Sequence, residues 1–307
     1  MSVAAEEPHP LGRIGRISAG TFHQLSALMT LALLIAVFAF GNAAFLSVNN
    51  GLTVLLQTSV IGLIGIGMTM VIITGGIDLS VGSVLALSGT AAGLMVKAGL
   101  PVPVAMSAAV LVGAFCGFIN GIVITKMRIT PFVATLGMMM IARGTALQLT
   151  GAAPISQLGE AFGVLGNGAL FRHVEKLPNG LSRVVFPGIP YPAILLLIVA
   201  ICGAYLLRRR ALGRHIYATG SNEEAARLSG VNVDATKIAA YVLSGALAGV
   251  AGNVLMSRLV TAQPNEGVMY ELDAIAAAVI GGASLMGGVG GISGTMIGAF
   301  IIGVLRN

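Results

Sequence analysis

The chain has 307 residues, of which 56% are hydrophobic and 9% charged. A soluble domain carries about 25% charged residues, so most of this surface must face something other than water. The net charge of +6 would suit nucleic acid in a soluble protein, but here the cations lie in short loops between apolar runs and no basic face carries interleaved aromatics; nucleic-acid binding is unsupported, and the pattern reads as topology control.

Residues 1–24 are polar and mixed, with Arg13 and Arg16, and read as a cytoplasmic tail. The next apolar run lacks a small-residue cleavage site at short distance, so it reads as a retained first helix rather than a signal peptide. Apolar segments fall at 25–46, 52–74, 79–97, 102–125, 131–150, 191–207, 237–257, 272–286 and 290–305. A bilayer core asks for about 20 apolar residues per helix. A membrane β-barrel would instead alternate polarity over about 10 residues. The runs here are continuous, so the expected fold is all-α, a polytopic transmembrane helix bundle over residues 25–307 with nine spans. The segment at 272–286 is the least secure because glycines interrupt it.

Orientation follows from Lys and Arg. A cytoplasmic N-terminus puts ten of them on the inner side and six on the outer side, three of those six in one long loop. The outer loop is 151–190, rich in Gly and Pro. The inner loop is 208–236, with Arg208, Arg209, Arg210, Arg214, Arg227 and Lys237. Its middle, Ser221–Gly230, reads as a short helix capped by Ser221 or Asn222, with Glu223 and Glu224 at the positive end of the helix dipole. Nine spans place Asn307 outside the membrane. The abrupt stop after Val304, without a polar tail, predicts that a further helix follows in the native chain.

Ionisable groups inside spans are expensive and usually functional. Asp78 sits in a Gly-rich break, where a cap or turn is the ordinary role of an Asp. Arg143 lies about 12 residues into its run, about 18 Å from the end and near the bilayer midplane. Both are pore or gate candidates. Arg143 is expected to face the bundle interior, since a lipid-facing charge at that depth costs at least about 2.5 kcal/mol. Small residues recur at i, i+4 in Gly113/Gly117/Gly121, Gly245/Gly249 and Gly294/Gly298, a spacing that lets helix backbones approach, within one subunit or across a dimer. Residues 75–82 echo residues 281–288, with four of eight positions identical. Duplicated halves are common in transporters.

No phosphate-binding Gly-x-x-x-x-Gly-Lys-Ser/Thr loop, His-Glu-x-x-His or Gly-x-Ser-x-Gly is present. His9, His23, His173 and His215 never cluster, and Cys116 and Cys202 lie in apolar runs without metal spacing, as small buried hydrophobes do. An enzyme reading therefore finds no catalytic, cofactor-binding or metal-ligating residues. An ion-coupled secondary transporter is the alternative to an ATP-driven one, and Asp78 is its only candidate carboxylate.

Several stretches together are specific for one family. They are Thr74-Gly-Gly-Ile-Asp-Leu-Ser-Val-Gly82, Asn120-Gly121, Thr130-Pro-Phe-Val-Ala-Thr-Leu-Gly137, Ile141-Ala-Arg-Gly144, Ala262-Gln-Pro264, Glu271-Leu-Asp-Ala-Ile-Ala-Ala277, Val279-Ile-Gly-Gly282, and Glu224-Ala-Ala-x-x-x-Gly230 in the inner loop. From about residue 45 onward the chain resembles the ribose-type sugar permeases, the membrane subunits of bacterial ABC importers for ribose, xylose and related solutes. The resemblance implies about ten helices per subunit, an inner-membrane location, two permease copies, a cytoplasmic ATP-binding subunit that hydrolyses the ATP, and a periplasmic sugar-binding protein that sets specificity. It assigns ATPase coupling to the inner-loop helix through Asn222, Glu223, Glu224, Ala225, Ala226 and Gly230. The general importer pattern continues with Ile-x-Leu-Pro after the glycine, and that continuation is missing here.

Overall fold

The computed structural model of the protein describes residues 19–176 and 182–307. Most of the expected tail, residues 1–18, lies outside the described residues. The helices in chain order are α1 (Ala19–Gly41), α2 (Val48–Ile73), α3 (Val81–Lys97), α4 (Val102–Lys126), α5 (Pro131–Thr150), α6 (Glu160–Asn167), α7 (Tyr191–Arg209), α8 (Ala211–Ser221), α9 (Glu223–Leu228), α10 (Val233–Leu259), α11 (Tyr270–Ile280) and α12 (Ile292–Leu305). Six of them, α1, α2, α4, α5, α7 and α10, are long and apolar enough to cross a membrane, while α3 and α12 are shorter apolar helices. The chain is thus a polytopic helical membrane protein.

Helix starts follow local chemistry. Pro131 opens α5, where a missing N–H costs nothing and the fixed φ suits the first turn. Asn232 caps α10 by accepting from the Ala235 amide at 3.0 Å. The first apolar run, expected over 25–46, stops at Gly41. There Asn42 accepts from the Ala44 amide and turns the chain into a 3-10 helix over Ala43–Leu46.

Two expectations need correction. The run at 272–286 is helical only to Ile280, because Gly282, Gly287, Gly288 and Gly290 all take positive φ, and residues 281–291 form an irregular segment. Nor is the fold purely α. The outer loop holds β1 (Ala169–Leu170), β2 (His173–Lys176), β3 (Ser182–Phe186) and β4 (Ile189–Pro190), paired antiparallel as β1–β4 and β2–β3. The β1–β4 pair brings the end of α6 beside the start of α7.

Helix α2 is the axis of the bundle. Every residue from Thr58 to Ile73 is buried, and α10, α12, α11 and α7 surround it. A helix that is apolar all round belongs in such a position. By contrast α1 is 6% buried over its apolar window and packs on α12, with Gln24 Nε2 donating to Ser293 Oγ at 3.1 Å. Leu33 and Phe40 on α1, Phe115 on α4, Ile141 on α5 and Ile201 on α7 form part of a broad exposed apolar girdle. A soluble monomer seldom shows so much.

The most extensive helix pairing is α4 with α10, running antiparallel. Gly113 lies against the Gly245 backbone, Gly117 against Tyr241, and Gly121 against Ile238. Likewise Gly294 and Gly298 of α12 lie on Gly281 and Ala277. The small-residue ladders read in the sequence therefore serve packing within this chain. Cys116 is buried among these helices, but Cys202 is exposed on α7, contrary to expectation, because its position falls on the outward face of that helix.

One helix, α7, joins loop 151–190 to loop 208–236, so these loops sit at opposite ends of the bundle, called outer and inner after the orientation expected from the cations. At the outer end, Asn307 Nδ2 donates to Asn50 Oδ1 at 2.9 Å, and α6 rests on α10 through Gly166 N donating to Ser257 Oγ at 2.7 Å.

Gly113→Leu should force α4 off α10 and destabilise the protein by about 1–3 kcal/mol or more. Gly137→Leu on α5, where a side chain meets open space, should leave the thermal midpoint of detergent-solubilised protein close to wild type. Equal midpoints for the two variants would contradict this packing.

Candidate functional site

The chain leaves helical conformation at three places within the bundle, and the candidate residues gather around them. The first break follows α2. Gly75 takes φ +80° and reverses the chain. Asp78, 1% exposed, then accepts hydrogen bonds from the Ser80 amide at 3.0 Å, Ser80 Oγ at 2.6 Å and Ser244 Oγ of α10 at 2.9 Å. Asn120 Nδ2 of α4 donates to Ser80 Oγ at 3.0 Å. The Leu79 amide donates to Thr135 Oγ1 of α5 at 3.2 Å, and Tyr241 Oη donates to the Ile77 carbonyl at 3.3 Å. The break is thus pinned to α4, α5 and α10 by one polar cluster.

The second excursion is residues 260–269, between α10 and α11. Ala262 pairs with Ile155 of the outer loop, and Gly267 lies against the backbone of Gly82. The segment therefore runs inward along α3. Arg143, half-buried on α5, donates from Nη1 to the carbonyls of Pro264 and Glu266, the latter at 2.7 Å. Its guanidinium faces protein, as the cost of a lipid-facing charge requires. Asp78 and Arg143 make no direct contact; each holds a different excursion.

At the inner end, Asn222 rather than Ser221 caps α9, its side chain accepting from the Ala225 amide at 2.9 Å. Ala226 is buried, while Glu223, Glu224, Ala225, Leu228 and Gly230 are exposed. Gly230 ends the helix with φ +83°. Glu223 Oε2 pairs with Lys237 Nζ at 2.6 Å and Oε1 with Arg227 at 3.3 Å. Asp234 pairs with Lys126 Nζ at 2.7 Å and with Arg227 at 3.4 Å. These five charges join α9 to the ends of α4 and α10. Exposed pairs contribute about 0–1 kcal/mol each, so they orient α9 more than they stabilise the fold. A cavity of about 500 Å³ opens beside them, lined among others by Arg128, Thr130, Glu223, Arg227, Asp234 and Lys237.

The third break, 281–291, reaches this end too. The Gly288 amide donates to the Ile73 carbonyl at 2.9 Å, and Tyr217 Oη of α8 donates to the Gly290 carbonyl at 2.8 Å. Gly220 lies directly on the Ile73 carbonyl, and Gly287 on Gly75. The two echoing glycine stretches thus meet each other and the C-terminal turn of α8.

Sequence reading included Ser80 and Thr135 in family stretches but gave them no role, and it missed Ser244 and Tyr241, which look like ordinary helix residues until the helices pack. It also read Lys126 and Lys237 only as topology signals. The i, i+4 ladder through Gly245 marked the right face of α10 but not the serine beside it.

Asp78→Ala should leave the Ser80 and Ser244 donors buried without acceptors, at about 1–3 kcal/mol for each orphaned group, so it should lower the thermal midpoint far more than Asp78→Asn. Equal loss in both would show that shape, not hydrogen bonding, matters there. A second expectation concerns pH. Lys237 first, then Arg227, hold the Glu223 carboxyl below its ordinary value of 4.5. The docking of α9 is therefore fully present above that value and fades as pH falls through the lower, folded-state value. Protease access to 223–230 should rise only in strong acid, and Glu223→Gln should show that raised access already at neutral pH.

The family described as "Branched-chain amino acid transport system / permease component" matches residues 50–307. The ribose import permease protein RbsC of Haemophilus influenzae is 44% identical over 279 residues, covering 91% of this chain and 83% of that relative. The protein of the same name from Bacillus subtilis is 43% identical over 288 residues, covering 94% and 85%. The xylose transport system permease protein XylH of Haemophilus influenzae is 35% identical over 327 residues, covering 91% and 87%. No solved structure matches the chain. With a match over most of its length and relatives well above 30% identity, the chain belongs to the permease-component family of branched-chain amino acid transport systems.

Proposed function

We propose that this chain is the membrane-spanning permease subunit of an ATP-driven (ABC) importer, moving a monosaccharide such as ribose across a bacterial inner membrane. The carrying observation is the inner-end junction. Helix α9 presents Glu224 and Leu228 to solvent, is tied to α4 and α10 by ion pairs, and continues directly from α8, whose last turn rests on Ile73 and Gly288. A push on α9 by a cytoplasmic ATP-binding subunit would thereby reach two breaks in the bundle. The names of the ribose and xylose permeases support the sugar class.

In this reading the N-terminus is cytoplasmic, and α3, α11 and α12 cross together with the six longer helices, giving nine spans. Helix α11 has 11 residues and, at 1.5 Å per residue, covers about half of a 30 Å hydrocarbon core; the irregular segments on either side complete its crossing. The outer loop meets a periplasmic sugar-binding protein, and a second copy of the chain completes the pathway. Asp78 and Arg143 shape that pathway by holding the excursions at 74–80 and 260–269. The chain itself carries no catalytic step. An ion-coupled mechanism would need a carboxylate free to exchange partners, whereas Asp78 already accepts three hydrogen bonds.

The test is reconstitution of the full chain with its ATP-binding and sugar-binding partners in proteoliposomes. Glu224→Arg and Gly230→Pro should each cut ATP-dependent D-ribose uptake by at least about tenfold. Glu224→Arg should leave the midpoint of the isolated permease nearly unchanged, since Glu224 is exposed and off the bundle, whereas Gly230→Pro also removes the positive-φ turn and the Gly230 amide bond to the Arg227 carbonyl and so disrupts the end of α9 itself. Normal uptake in both variants would refute the coupling role of α9.

A further inference from the structure

At the outer end of the bundle, away from α9 and both glycine breaks, lies a cavity of about 330 Å³, lined by Gln57, Val60 and Ile61 of α2, Leu255 and Arg258 of α10, Tyr270 of α11, and Arg306. None of these residues belongs to the clusters around Asp78, Arg143 or α9. The volume falls at the lower end of the range for small-molecule sites, about 300–1,000 Å³. The walls divide by chemistry. Val60, Ile61, Leu255 and the ring of Tyr270 supply an apolar surface. Gln57, Arg258 and Arg306 supply polar atoms around it.

The hydrogen-bonding state of those polar atoms indicates what the cavity takes. Arg306 is already engaged: it pairs with Asp273 and stacks over the Tyr270 ring at 4.8 Å. Among the described residues, the Arg258 guanidinium has no hydrogen-bond or ion-pair partner, and Gln57 Oε1 is a buried acceptor without a donor. The site therefore offers unused donors on Arg258 and on the Gln57 amide nitrogen, and one buried unused acceptor, Gln57 Oε1. A hydroxyl is both donor and acceptor, so a vicinal diol can satisfy the two at once. A phosphate or carboxylate would suit Arg258 but would set another acceptor against Gln57 Oε1. An apolar solute would leave the buried Gln57 Oε1 unmet, at the usual cost of a buried unpaired acceptor, while the half-exposed Arg258 stays solvated. The C–H face of a sugar ring, in turn, fits the aliphatic wall beside Tyr270.

We propose that this cavity is a monosaccharide-binding station of the permease itself, in which Gln57 accepts from one ring hydroxyl and Arg258 donates to another. The inference rests on the importer reading above and gives it a place where the solute is held after release from the outer partner. It also assigns the permease a share in specificity, since a solute without hydroxyls cannot serve both groups.

Two measurements separate this proposal from the importer reading. Saturation-transfer difference NMR of the full chain in detergent, with D-ribose as the probe, should show ribose signals. Those signals should weaken about 3- to 10-fold in apparent affinity in Gln57→Leu and Arg258→Met. Gln57→Glu, which keeps an acceptor at that position, should retain them. Inorganic phosphate should not displace the sugar. In proteoliposomes with the partners, the Leu and Met variants should lose D-ribose uptake while keeping ATP hydrolysis stimulated by the sugar-loaded binding protein. Wild-type uptake that persists unchanged in both variants would overturn the station and leave the importer reading standing. Absent uptake by the wild-type complex would instead overturn the importer reading. Ribose signals that are missing in the wild type, unchanged in both variants, or abolished by phosphate would also overturn the station.

Discussion

Backbone amides and carbonyls placed in an apolar bundle must find partners inside the protein, since hydrocarbon offers none. This chain breaks its helices at 74–80, 260–269 and 281–291 and supplies partners to several of the freed groups from within. Tyr241 and Thr135 reach the first break, Arg143 the second, and Ile73 and Tyr217 the third. Each supporting group, a side chain or in Ile73 the backbone carbonyl, comes from a helix remote in sequence from the break it holds, so the breaks exist only in the packed molecule. They are also where a helical bundle can change shape without losing its long helices, since a few turn residues can absorb the rotation.

Close helix approach is the second requirement, and glycine supplies it. The α4–α10 ladder brings two backbones into direct contact, which draws Ser244 toward Asp78 and Tyr241 toward Ile77. Packing and polar satisfaction are therefore one arrangement. A side chain at Gly113 or Gly117 would separate the helices and remove the donors on which the first break depends. Association between helices in lipid relies on such contacts because burial of apolar surface offers little gain there.

The two ends of the bundle differ in chemistry. The inner end carries an ion-pair cluster, a short capped helix and the meeting of two glycine breaks, which in the proposed importer would take the push of the ATP-binding subunit. The outer end carries the α6 cover, the two small sheets and the cavity beside Gln57, which in the proposed importer would face the incoming solute. The central helix α2 touches both ends. Ile73 takes part in the inner junction and Gln57 lines the outer cavity, about 24 Å apart along the helix at 1.5 Å per residue.

Much of this was legible in the sequence. Composition excluded a soluble protein, continuous apolar runs located the long helices, the glycine ladders marked the contacting faces, and the motifs around Asp78, Arg143 and Glu224 pointed to the permease family. Those properties are local: they depend on hydropathy, helix period and capping chemistry within a few residues. The short span of α11, the pairing of the echoing glycine stretches, the Arg143 clamp and the outer cavity were decided only by the tertiary structure. They join residues far apart in the chain, such as Gln57 with Arg258 or Gly75 with Gly287, and helix period carries no information about which helices become neighbours. Glycine most of all reads as a helix weakness until a second backbone occupies the space that its missing side chain leaves.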